Sequence, residues 1–334
     1  MRIEKRLIIK IIFEKENFDK NVYKKIDNKI LIKILSSHLL IPIFYFKIKK
    51  LKLTKYFADE LVQYLKEIYK INKSRNEVLI KETNAIVKIL NKNNIDYVLL
   101  KGASFINSNL YDDNGIRMVG DIDILVNSKC ILKASNLLLN HGYSIDKDTP
   151  LISSHRHLPR FIHDKKLFAV ELHKRLIEKV GFKKLRTNDI LKNKIKKYHY
   201  NFLCSRNQIE YNIYNHQLNN SGYYKLSYDL KNLYDTSLLV KKTKINNNRI
   251  INSYMKISKI LNINIFDNID SKNYSFNFIR FRLREKSFYF RIINDFISNQ
   301  LNHYDYRKRQ FKEFFMVKGY RNLVILRLIK KIKK

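Results

Sequence analysis

The run Gly120-Asp121-Ile122-Asp123-Ile124-Leu125-Val126 reads as a β-strand with two faces of opposite character. Side chains two apart in a strand share a face, each residue rising about 3.3 Å. Asp121 and Asp123 therefore project together, while Ile122, Ile124 and Val126 share the other face and belong to a core. Paired carboxylates repel unless a cation sits between them. A divalent ion with oxygen ligands resolves the repulsion, most naturally Mg²⁺ with Mn²⁺ as the alternative. A solvated pair on an edge strand is the competing explanation, and the flanking sequence decides between them.

Upstream, Ile95 to Leu100 is short, apolar and β-leaning, and Lys101-Gly102-Ala103-Ser104 follows it. Ala103 to Tyr111 reads as a helix and Asp112 to Gly120 as a loop. A glycine at a strand-to-helix turn, with Lys and Ser beside it, offers backbone N–H groups and a cation to phosphates. Lys101, Gly102, Ser104 and Arg117 are accordingly candidate nucleotide-binding residues, Arg117 as a second phosphate ligand. Downstream, Ser128 to His141 reads as an amphipathic helix with Ser128 as N-cap and Gly142 as terminator. Tyr143 to Asp146 is a further short strand. In Leu167 to His173, Val170 and Leu172 face one side, and Glu171 and His173 the other. A lone carboxylate on an apolar strand is costly to bury unpaired, so Glu171 is the third candidate acid. Three carboxylates suit a two-ion site for phosphoryl or nucleotidyl transfer. His173 contacts substrate or orients Glu171.

These residues carry a resemblance. Tyr97-Val98-Leu99-Leu100-Lys101-Gly102, Leu110-Tyr111, Arg117, Gly120-Asp121-Ile122-Asp123, Gly142-Tyr143 and Glu171-Leu172-His173 resemble the nucleotidyltransferase superfamily of the DNA polymerase β type. They are more closely similar to the nucleotidyltransferase family proteins of bacteria, over roughly Ser36 to Val240. The resemblance implies Asp121 and Asp123 as Mg²⁺ ligands and Glu171 as the third metal-binding, catalytic acid. Gly102 and Ser104 match the turn that holds the triphosphate, although this turn reads Gly102-Ala103-Ser104 and stands farther from Asp121 than is usual. Gly120, next to Asp121, joins the candidate nucleotide-binding residues through the resemblance. His216 and Asp235 match the group's pattern and are candidate substrate contacts. The implied activity moves an NMP from an NTP, expected to be ATP, to a hydroxyl acceptor on protein, RNA or a small molecule, releasing pyrophosphate. The alternative is a non-catalytic nucleic-acid-binding or antitoxin-like partner protein that uses its basic surface.

The rest of the chain is helical in pattern. Between Lys20 and Asn93, Phe57, Leu61, Leu65, Ile68, Ile86 and Leu90 recur largely at spacings of three and four. Helices return from Leu176, at Ile209 to His216, Leu226 to Val240 and Ile250 to Leu261. With only 7 Gly and 3 Pro in 334 residues, a turn-rich all-β fold is disfavoured. The expected class is α+β: a small mixed sheet over 95–175, a helical region over 1–94, a helical acceptor-side region over 176–275 and a basic, aromatic-rich helical tail over 276–334.

The net charge of +37 suggests polyanionic partners. Saturation in Lys, Ile, Asn, Tyr and Phe, residues of A- and T-rich codons, is a second source of it. From Tyr97 to His173 there are 9 Lys and Arg against 8 Asp and Glu, a net of +1. The excess lies in the flanks and the tail, where Arg280 to Arg284 and Arg307-Lys308-Arg309 interleave or adjoin aromatics. Such a pattern grips nucleic acid by phosphate contact and stacking. The final Leu323 to Lys334 is apolar then basic, as in a membrane-surface helix. The longest uncharged apolar run, Ile34 to Phe46, is 13 residues and contains Pro42, short of the ~20 that span a bilayer. Two cysteines without metal spacing fit a reducing cytoplasm. His155, His157 and His163 read as a polar loop over the site.

Overall fold

The computed structural model describes residues 2–13, 20–146, 155–178, 182–241, 243, 248–263, 265, 275–298 and 315. Helices α1 (Ile3–Ile12), α2 (Lys20–Tyr23), α3 (Asn28–Ser37), α4 (Ile41–Lys50) and α5 (Asp59–Lys92) come first. Asp27 caps α3, its carboxylate accepting from the Lys29 and Ile30 amides. Pro42 falls in the first turn of α4, where its missing N–H costs nothing. The Ile34 to Phe46 run is therefore split between α3 and α4, which are bent by 118° to each other. Among the described residues no single helix is long and apolar enough to cross a membrane; that bent pair passes only when its two helices are taken together.

Helix α5 has 34 residues, about 50 Å at 1.5 Å per residue, and is the spine of the molecule. It ends at Asn93, and Asn94 at φ 54° turns the chain into the sheet. Strand β1 (Tyr97–Leu99) leads into α6 (Lys101–Asn107), followed by β2 (Asp121–Val126), α7 (Ile131–Asn140), β3 (Ser144–Ile145), β4 (Phe161–Ile162) and β5 (Ala169–His173). Next come α8 (Thr187–Lys192), β6 (Ile195–Lys197), β7 (Tyr200–Phe202), α9 (Ser205–Tyr214) and a π-turn over Asn215–Asn219. Helices α10 (Gly222–Lys225), α11 (Leu230–Val240), α12 (Arg249–Ile260) and α13 (Ser275–Lys286) complete the named elements, and residues 288–298 are also helical.

Among the described residues seven strands form one mixed sheet in the order β3-β4-β5-β2-β1-β7-β6. Strand β2 is central, parallel to β5 and antiparallel to β1. Ile122, Ile124 and Val126 are fully buried. The α+β class with helical flanks is observed, as the sequence suggested. Three local expectations are corrected. The helix after β1 starts at Lys101 and stops at Asn107, because the chain turns directly out of the strand with Lys101 at φ 47°. Helix α7 begins at Ile131 behind Cys130, since Ser128 belongs to a preceding turn. The segment after Leu176 is not purely helical: β6 and β7 form a hairpin whose β7 pairs in parallel with β1 at Leu99 and Phe202. Of the tail, Arg307 to Arg309 and Leu323 to Lys334 lie outside the described residues.

Candidate active site

The site starts from register. Asp121 pairs with Ala169, Asp123 with Glu171, and Leu125 with His173 across the parallel β2–β5 ladder. Asp123 and Glu171 are thus placed side by side. A one-residue slip would send Glu171 to the opposite face. Burial of apolar side chains on both strands fixes the register: Ile122, Ile124, Val170 and Leu172 are each fully buried.

Cations answer the carboxylates. Lys101 Nζ lies 2.5 Å from Asp123 Oδ1 and 4.0 Å from Glu171 Oε2. Arg160, just ahead of β4, donates from Nη2 to Asp121 (2.8 Å) and from Nε to Glu171 (3.0 Å). His173 Nε2 lies 2.8 Å from Asp123 Oδ1 and 3.5 Å from Glu171 Oε2. Burial would raise the Asp123 pKa, but the Lys101 ammonium and the His173 hydrogen bond outweigh it and hold it below the ordinary range. For Glu171, burial is likewise outweighed, by His173 and Lys101, and its pKa is driven down. Asp121 goes the other way: burial raises it, and repulsion from Asp123 and Glu171 adds to the rise. Asp123 and Glu171 are thus shifted down and Asp121 up, the Lys101 and Arg160 charges opposing the rise at Asp121.

The histidine loop closes over this group. Leu158 N donates to Leu172 O, and His157 bridges to His173, their rings 5.0 Å apart. Burial, with the neighbouring His173, pushes His157 down to about 4. His155 stacks on His157 at 6.0 Å. His163 lies elsewhere, against Tyr143 and Gly142.

The loop that leads into β2 has no regular structure and is held by a polar stripe on α5. Tyr69 and Lys73 grip the Asp113 carboxylate at 2.6 and 2.8 Å. The Asn72 amide donates to Gly115 O, and the Asn76 amide to Asn114 O and Arg117 O. Gly115 is needed there, since a Cβ would sit 2.8 Å from the Tyr69 ring. Farther along α5, buried Glu82 accepts from the Leu167 and Phe168 amides and fixes the approach to β5.

The remaining candidates sort by place. Lys101 reaches the carboxylates. Gly102 lies at a close approach, where a Cβ would meet Val119 at 2.7 Å. A Cβ at Gly120 would meet nothing within 4 Å among the described residues, which leave space open beside Asp121. Ser104 is buried and donates to Gln208 Oε1 on α9. Arg117 is buried, with Nε 3.0 Å from Asp235 Oδ2, while the Tyr111 hydroxyl donates to Asp235 Oδ1 at 2.7 Å. Asp235 thus ties α11 to the loop rather than lying among the three acids. His216 is buried in the π-turn over Gly222, its ring 6.2 Å from that of Tyr254.

Sequence reasoning missed Arg160, the α5 stripe and Tyr211. Residues 69, 72, 73 and 76 follow helical spacing as clearly as the apolar positions do. Arg160 carried only a weak signal, as one arginine in a histidine-rich stretch. Tyr211 had none. Its hydroxyl is buried on α9 with no hydrogen-bond partner among the described residues. Burial raises its pKa, and the nearby Lys101 and Arg156 charges oppose the rise.

The donor set fits a divalent ion. Asp123, Glu171 and His173 place one ligand atom each within 4.8 Å of one another. Carboxylate oxygens are the donors that Mg²⁺ and Mn²⁺ take. Lys101 and Arg160 are the cations paired directly with the three carboxylates. No curated protein and no solved structure matches the chain. A family model described as "Uncharacterised nucleotidyltransferase" matches residues 24–259, which take in the α5 spine, the seven-stranded sheet, the acidic cluster and helices through α12. The chain belongs to this family of uncharacterised nucleotidyltransferases.

Proposed function

We propose that the protein is a Mg²⁺-dependent nucleotidyltransferase with a polymerase-β-like core. It would move an NMP from an NTP, ATP being the expected donor, to a hydroxyl on a protein, RNA or small-molecule acceptor. The observation that carries this reading is the registered pair Asp123 and Glu171, with Asp121 and His173 beside it on two parallel strands. Asp121, Asp123 and Glu171 would hold the ion, with His173 hydrogen-bonded to Asp123 beside them. Bound there, Mg²⁺ supplies polarisation of the α-phosphate and neutralises charge on the leaving pyrophosphate.

The chain's own residues do the rest. Glu171 would orient the acceptor hydroxyl and accept its proton late, as the oxygen–phosphorus bond forms, because His173 and Lys101, which hold it ionised, also weaken it as a base. The hydroxyl oxygen bonds to the α-phosphorus as the bond from that phosphorus to the bridging oxygen breaks, and pyrophosphate leaves with the electron pair. Lys101 and half-exposed Arg160 bring positive charge to the phosphates, and the open space at Gly120 gives them room. Asp235 and the α5 stripe keep Arg117 and the loop in place. The Tyr211 hydroxyl, buried without a partner, is a donor for the bound substrate, which would satisfy it.

A thermal-shift panel with each of the four NTPs, with and without Mg²⁺, tests the reading. At least one NTP should raise Tm only when Mg²⁺ is present. No shift with any nucleotide would count against it.

A further inference from the structure

The helix over residues 288–298 is amphipathic the wrong way round for a surface helix. Its polar side chains Asn294 and Ser298 are buried, at 5% and 0% exposure. The Asn294 amide donates to Lys225 O, the Ser298 hydroxyl donates to Tyr224 O, and Arg280 of α13 donates to both side chains and to Tyr224 O. The opposite face carries Phe288, Tyr289, Ile292, Ile293, Phe296 and Ile297, all between 49% and 78% exposed. Their spacings of one and four place them on one broad stripe. Ile279 and Leu283 of α13, one turn apart, are exposed as well. Six exposed large apolar side chains on one face of an 11-residue helix mark a surface that something covers.

The surrounding charge says what kind of surface that is. Beside α13 a cavity of ≈ 640 Å³ has a mixed lining, in which Arg2, Lys5, Arg282, Lys286 and Arg291 stand among apolar residues such as Ile260 and Phe281, with Glu285 as the acidic residue, itself paired to Lys5. Over residues 276–334 the sequence holds 16 Lys and Arg against 4 Asp and Glu, a net of +12. The partner must therefore offer apolar volume and negative charge together. Nucleic acid offers the charge, but the aliphatic members Ile292, Ile293 and Ile297 cannot stack on bases as aromatic platforms do. A second copy offers the apolar face but carries the same net charge of +37, which opposes association. An anionic bilayer offers both, with acyl chains under a layer of phosphates.

We propose that the 288–298 helix, with the outer face of α13, docks in the interfacial plane of an anionic lipid membrane. The aromatic and isoleucine stripe enters the acyl boundary, and Arg282, Lys286 and Arg291 meet the headgroup phosphates. The experiment is flotation of the full chain with phosphatidylcholine vesicles, and with vesicles containing phosphatidylglycerol in addition. Two variants are compared: Phe288→Gln/Ile292→Gln/Phe296→Gln and Arg282→Gln/Lys286→Gln/Arg291→Gln. The stripe side chains face outward, so the first variant should keep its far-UV spectrum and Tm. The wild type should float with the anionic vesicles and far less with neutral ones. Each triple variant should bind about tenfold or more weakly. Absence of wild-type flotation on anionic vesicles would overturn the proposal. So would full flotation of the stripe variant, which would reduce the effect to charge alone. A wild-type dimer that the stripe variant turns into a monomer, without loss of flotation, would assign the stripe to a second copy instead.

Discussion

Lys101 holds its ammonium 2.5 Å from the Asp123 carboxylate, while its own backbone sits at φ 47° in the left-handed region. A non-glycine residue there stores roughly 1–3 kcal/mol of strain, and the strand-to-helix turn uses that conformation to aim the side chain back across β2. Breaking a buried pair by removing one partner costs about 3–5 kcal/mol. Lys101→Ala should therefore be strongly destabilised in the absence of divalent ions. Mg²⁺ should restore more stability to the variant than to the wild type, because the ion replaces the lost positive charge. Urea unfolding with and without Mg²⁺ checks this; equal Mg²⁺ effects on the two proteins would separate Lys101 from the metal site.

Tyr211 separates structure from catalysis. Its hydroxyl has no partner to lose, so Tyr211→Phe should leave stability unchanged or slightly raised, since the variant no longer buries an unsatisfied polar group. Turnover should fall roughly tenfold if substrate supplies the missing partner, a loss of about 1.4 kcal/mol of transition-state binding. Unfolding curves and steady-state kinetics on the same preparation test both halves.

Asp235 is expected to act as an anchor. It is fully buried between Arg117 and Tyr111. Asp235→Asn leaves the Arg117 charge uncompensated and should cost about 3–5 kcal/mol. Arg117→Met/Asp235→Asn should recover part of that loss in a double-mutant cycle. An Asp235→Asn protein of normal stability and no activity would instead make Asp235 a substrate contact.

His216 makes stability fall in acid. Burial pushes its pKa from 6.5 down to about 4, with Asp229 opposing and His38 reinforcing the shift. Its folded pKa lies below its unfolded one, so its contribution is complete above pH 6.5 and is lost as pH falls from 6.5 toward 4. By pH 5 the loss should reach about 2 kcal/mol. His216→Gln should show a smaller drop than wild type between pH 7.5 and 5 in urea unfolding. The same ring leaves no room beneath it: a Cβ on Gly222 would sit 2.5 Å from His216 Cε1 and 2.9 Å from its backbone oxygen. Gly222→Ala should accordingly cost about 1–3 kcal/mol.

The acidic core was legible because period-2 alternation survives over Asp121 to Ile124 in β2 and Val170 to His173 in β5. The β6–β7 hairpin was not. Its strands are three residues long, Ile195 to Lys197 is exposed, and the turn uses Tyr198 at φ 57° where Gly or Asn would have signalled it. The partners of the acids were half legible. Lys101 follows β1 directly and was in view, whereas Arg160 reaches Asp121 and Glu171 only because the 155–160 segment runs back along β5. Arg117 and Asp235 were both singled out, but nothing local in sequence says that residues 118 positions apart are bonded to each other.

The most direct test of the central claim is transfer of label from α-³²P-NTP, with pyrophosphate release measured in parallel, for wild type and Asp121→Asn/Asp123→Asn. The account predicts Mg²⁺-dependent release by the wild type and a loss of at least about a hundredfold in the double variant. Equal rates in the two proteins would contradict it.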